Sequence, residues 1–71
     1  MTNSELLRKA VARSGYKKSY IAARIGLTYQ GYLNKECGKN EFRQSEIEEI
    51  CKLLDLTAEE KEAIFFATEV A

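Results

Sequence analysis

The feature that most constrains this chain is the break at Gly26. Upstream, Ile21, Ala22 and Ile25 recur at the spacing of one helix face; Gly26 interrupts them, and a second helical stretch opens after Thr28. Glycine suits such a break because the residue that closes a helix often takes a left-handed backbone, which a Cβ makes costly. Thr28 is placed to accept a hydrogen bond from one of the next free N–H groups, so that Tyr29, Gln30 and Gly31 form the first turn of a new helix. Lys18 to Gly38 therefore reads as two short helices across a tight turn, a helix-turn-helix whose second member is mostly polar.

The flanks continue the helical pattern. The chain has no proline and no alternating run of Val, Ile or Thr that would mark strands. A first helix is expected from Ser4 to Ser14, capped by Asn3 or Ser4, with Glu5 in its first turn, an apolar stripe of Leu6, Leu7, Ala10 and Val11, and Gly15 at its end. Tyr16 is expected at the corner that follows. The second helix runs from about Lys18 to Ile25; Lys17 is a poor cap, and Ser19 is the alternative start. The third spans Tyr29 to Glu36, with Tyr32 buried against the second and Gly38 closing it. Phe42 then returns to the core from the loop Lys39 to Arg43.

Ser45 and Glu48 read as a capping box that opens a fourth helix, whose buried side is Ile47, Ile50, Cys51, Leu53 and Leu54, with Leu56 sealing the turn. Thr57 and Glu60 repeat the device ahead of Ala63, Ile64, Phe65, Phe66, Ala67 and Val70. The expectation is one all-α domain of five helices over residues 1–71, with the helix-turn-helix at helices 2 and 3. A chain of this size buries only a modest core.

Zero net charge conceals an asymmetry. Residues 1–43 carry nine Lys and Arg against three acids, whereas residues 44–71 carry two bases against eight acids, so one half is at +6 and the other at −6. The basic end coincides with the helix-turn-helix, as a polyanionic partner requires. Other chemistry lacks its residues: Cys37 and Cys51 are too few for a zinc site, the chain has no His to complete one, and a Cys or Ser nucleophile would lack its commonest base. No enzyme, metal, cofactor or small-molecule substrate is expected. The cysteines read as free thiols, with Cys51 in the core. No segment approaches the ~20 apolar residues of a membrane span, and the start lacks a signal-peptide layout, so a cytoplasmic protein is expected.

Read this far, the chain resembles the small phage Cro and repressor proteins, that is, lambda-repressor-like DNA-binding domains. The resemblance rests on Ile21-Ala22 and Ile25-Gly26 with Thr28, on Glu36-Cys37-Gly38-Lys39 where that family often has Glu-x-Gly-Lys, and on the amphipathic fourth helix. The segment Tyr32 to Phe66 is similar to a Cro-like subgroup common in prophages, which shares a Gly-Lys-x-Glu-Phe loop and an Ile-Phe-Phe end. Two departures from the family stand out. Lys17 and Lys18 stand where Thr or Asn followed by Gln is common, and Lys35 stands where an apolar residue is frequent, so either the inner face of the third helix is rotated or Leu33 takes the packing role.

The resemblance implies a sequence-specific regulator, a repressor that occupies operator DNA in a bacterial host, on its nucleoid. Residues at the start of a recognition helix reach base edges in the major groove, and here these are Tyr29 and Gln30, with Asn34 one turn on. Gln and Asn suit bidentate contact with adenine. Lys18, Thr28, Lys35, Lys39 and Arg43 are the expected phosphate contacts, with Lys17 and Arg24 weaker candidates; such contacts set register without reading sequence. Gly31 either lets the backbone approach DNA closely or is simply tolerated. Phe65, Phe66 and Val70 are expected to form a twofold dimer interface, because paired half-sites lie ~34 Å apart; the alternative is that both Phe residues close the monomer core. The rival from another class is a protein-interaction module on the same fold, an antirepressor or polymerase-binding factor.

Overall fold

Five helices and no strands make up the described residues: α1 (Ser4–Ser14), α2 (Lys18–Arg24), α3 (Tyr29–Glu36), α4 (Gln44–Leu53) and α5 (Ala58–Phe65). The computed structural model describes residues 1–66; Ala67 and Val70, expected on the last helix and in Val70's case at a dimer interface, lie outside them.

Local chemistry accounts for most helix ends. Asn3 caps α1, its Oδ1 accepting from the Leu6 N–H at 3.0 Å, and the Asn3 N–H donates to the Ile64 carbonyl at 2.6 Å, tying the start of the chain to α5. Gly15 closes α1 at φ 78°. At the end of α2 the Leu27 N–H reaches the Ala22 carbonyl at 2.9 Å and the Gly26 N–H reaches Ala23 at 3.2 Å, a Schellman closure that holds Gly26 at φ 79° and turns Leu27 back against the core. The end of α4 is built in the same way: Leu56 bonds Cys51 and Asp55 bonds Lys52, but the left-handed residue is Asp55, at φ 52°. Asp tolerates that conformation better than most non-glycine residues.

Thr57 and Glu60 form the expected capping box, at 3.0 and 3.1 Å. The box expected at Ser45 and Glu48 is not the one made. The fourth helix starts earlier, with Arg43 at the cap position, and the Glu46 carboxylate accepts from the Arg43 N–H at 2.8 Å. Arg has no acceptor to reciprocate, so only the carboxylate half of the box exists; Ser45 lies within the first turn and is exposed.

The core gathers Leu7, Val11, Ile21, Ala22, Tyr32, Ile47, Ile50, Leu54 and Ile64 around an aromatic chain. Phe42 lies 6.1 Å from Tyr32 and 5.5 Å, edge to face, from Phe65, so the loop residue joins α3 to α5. This corrects one expectation for the dimer interface: Phe65 is 3% exposed and belongs to the monomer core, while Phe66 is 39% exposed. Tyr16 stands at the corner between α1 and α2, on the surface, with its ring 5.1 Å from that of Tyr20.

Phe65→Ala is expected to cost about 3–5 kcal/mol through the cavity it leaves, and Phe66→Ala to stay within about 1 kcal/mol. Urea unfolding of the two variants tests the assignment, which equal losses would overturn.

Candidate nucleic-acid interface

α3 is positioned mainly by polar groups. Tyr32 and Glu36 occupy one face, a turn apart, and both are fully enclosed, Glu36 being 3% exposed. The Glu36 carboxylate accepts from Tyr32 Oη at 2.9 Å and from Lys18 Nζ at 2.8 Å, and Arg8 Nε lies 3.6 Å away. One carboxyl group thus joins α1, α2 and α3. Burial and the adjacent Glu36 push the Tyr32 hydroxyl above the usual tyrosine range, which keeps it a proton donor.

A second inward contact fixes the opposite flank of the helix. Lys35 Nζ donates to Glu46 Oε1 at 2.7 Å, with both side chains largely enclosed. Burial pushes the Glu46 carboxyl upward, but the hydrogen bonds from Lys35 and the Arg43 N–H, with the charges of both residues, outweigh it and hold the group below the usual carboxylate range. Lys35, expected at a phosphate, is therefore a strut between α3 and α4. Leu33, half-buried, packs against the core beside it.

The outer face follows from these anchors. Gln30 and Asn34 each precede an inward residue by two positions, about 200° around the helix, so they project away from Tyr32 and Glu36. Gln30 Nε2 donates to Asn34 Oδ1 at 3.1 Å, aligning the two amides as a pair. Tyr29 is exposed at the head of the helix. Thr28 Oγ1 accepts from the Gly31 N–H at 3.0 Å and so caps α3 as expected; a Cβ at Gly31 would lie 3.0 Å from that same oxygen.

The loop after α3 folds back on it, the Asn40 N–H donating to the Asn34 carbonyl at 3.1 Å, so the backbone at Lys39 and Asn40 stays beside the end of α3. Lys39 and Arg43 are exposed and make no ion pair among the described residues. The same holds for Lys17 and Arg24, the latter's guanidinium lying 6.0 Å from the Tyr20 ring centre. Lys18 differs, being held on Glu36.

Sequence reasoning gave no structural part to Glu46 and used Glu36 only as a family match. A carboxylate predicted at an inward helical position was the available signal, one turn after Tyr32 in the first case and three residues after the cap in the second. Among the described residues no three His, Cys, Asp or Glu converge as metal ligands, and no helix is long and apolar enough to cross a membrane. Comparison with protein-family models, curated proteins and solved structures found no match for the chain.

Glu46 and Glu60 are both held low, Glu60 by the Thr57 N–H first and Arg13 second. The unfolded chain then binds more protons than the folded one in acid, and stability rises with pH across that window. Unfolding free energy is expected to fall as pH drops from ~4.3 through the lower folded values. Glu46→Gln, which keeps the cap acceptor, should flatten that slope in denaturant titrations at stepped pH; an unchanged slope would remove Glu46 from the account.

Proposed function

We propose that this chain is a sequence-specific double-stranded-DNA-binding regulator, a Cro-like repressor whose α2 and α3 act as a helix-turn-helix and whose α3 enters the major groove of an operator. The observation that carries the reading is the outer face of α3: two aligned amides, Gln30 and Asn34, beside the exposed Tyr29, with the exposed cations Lys39 and Arg43 following in sequence. Amide side chains are suited to adenine N6 and N7, and the groove accommodates one helix. The resemblance to Cro-like proteins read in the sequence between Tyr32 and Phe66 points the same way.

In this proposal Tyr29, Gln30 and Asn34 read bases. Lys39 and Arg43 neutralise phosphates, and the Thr28 hydroxyl, exposed at the cap, adds a neutral backbone contact. Lys18 contributes through its position at the head of α2 while remaining tied to Glu36, and Lys35 serves only to orient α3. The protein works as a homodimer in a bacterial cytoplasm, with Phe66 the described residue available for the twofold contact. No catalysis, cofactor or metal is involved.

Binding to operator-like DNA selected from random sequence should weaken with salt at a slope of about 0.9 per neutralised phosphate; affinity flat with salt removes the proposal. Gln30→Ala is expected to cost about 1–3 kcal/mol of discrimination. Lys39→Ala should weaken all sequences alike and reduce the slope by about 1. Lys35→Met separates strut from phosphate contact: thermal stability falls and the salt slope stays, whereas a slope reduced like that of Lys39→Ala would return Lys35 to the backbone.

A further inference from the structure

The outer side of α2 carries a second surface that the α3 site does not use. Tyr16, Tyr20 and Arg24 follow one another at four-residue steps, so they form a ladder: the two rings are 5.1 Å apart, and the Arg24 guanidinium donates to Tyr20 Oη at 3.4 Å. Both tyrosines are 42% exposed. This ladder forms one wall of a groove of about 370 Å³ between α2 and α4, with Glu49 and Lys52 on the other wall and Leu53 at its base.

We infer that this groove docks a short acidic segment of another protein, with one apolar side chain against the Tyr16–Tyr20 pair and carboxylates on Arg24 and Lys52. Three features select that occupant. Two adjacent tyrosines, their rings inclined at 35°, offer wide apolar area at small entropic cost, with hydroxyls left to hydrogen-bond, which is why the residue is enriched at protein interfaces. Arg24 and Lys52 have no ion-pair partner among the described residues, so the cations in the groove outnumber its one acid and favour carboxylates. Glu49 then decides between anions: a phosphodiester backbone offers only acceptors to it, whereas a peptide brings N–H groups that can donate. The inference does not depend on what α3 binds.

The test is a nitrogen-15 NMR titration of the full chain with a blocked peptide of glutamates around a central phenylalanine, alongside the same peptide with lysines and an oligothymidylate strand. The acidic peptide is expected to give saturable shifts at Tyr16, Tyr20, Arg24 and Lys52 and none at Gln30 and Asn34. Arg24→Glu and Tyr20→Ala, both at exposed positions, should each weaken it by about tenfold or more with unchanged circular dichroism. Absent shifts, shifts centred on α3, equal binding of the lysine peptide, or displacement by oligothymidylate would each overturn the inference.

Discussion

The structure depends on a carboxyl group placed where a small domain can least tolerate an unpaired one. Glu36 lies inside the junction of α1, α2 and α3 and is held there by the Tyr32 hydroxyl and the Lys18 ammonium. Removing either partner leaves an acid short of donors, and removing the acid strands a buried phenol hydroxyl. Apolar packing tolerates small rolls of a helix, whereas hydrogen bonds of 2.8 and 2.9 Å do not. α3 is eight residues long and contributes Tyr32 as its one fully buried apolar side chain, so Glu36 and Lys35 supply much of what orients it.

This gives the uneven charge of the chain a second meaning. Lys35 pairs with Glu46 and Arg13 with Glu60, each time joining the basic half to the acidic half. Part of the segregation therefore serves assembly, through ion pairs that close α3 onto α4 and α1 onto α5. What remains for a polyanion is narrower than the sequence count: Lys17, Arg24, Lys39 and Arg43 are the members of the basic half without an ion pair among the described residues. Two of these follow α3 in sequence, and Arg24 stands on Tyr20 beside the other groove.

The parts legible in the sequence are those whose signal is a backbone requirement. Gly26 announced the end of α2 because few residues adopt its φ at low cost, and Thr57 with Glu60 announced α5 because both halves of the box are present. Asp55 performs the same turn as Gly26 without the glycine, so it left no mark. Ser45 and Glu48 misplaced the start of α4 because spacing alone does not distinguish a hydroxyl cap from a carboxylate three residues beyond an arginine. Phe65 was misassigned for another reason: it and Phe66 are adjacent and equally apolar, and the one that turns inward packs on Phe42, twenty-three positions away in sequence.

The same distinction limits how the α3 site could be read. Lys35 looked like a phosphate contact because its partner, Glu46, comes from another helix, and long-range pairs leave no local pattern. Yet that pair makes the outer face of α3 more definite. With Tyr32 and Glu36 locked inward and Lys35 drawn to α4, Gln30 and Asn34 project outward, and neither can exchange roles with an inward residue without breaking a buried hydrogen bond. An apolar residue at position 35 would bury more surface but fix the roll less sharply. For a helix whose proposed task is to present two amides at set positions along a groove, a defined roll matters more than an extra buried methyl group.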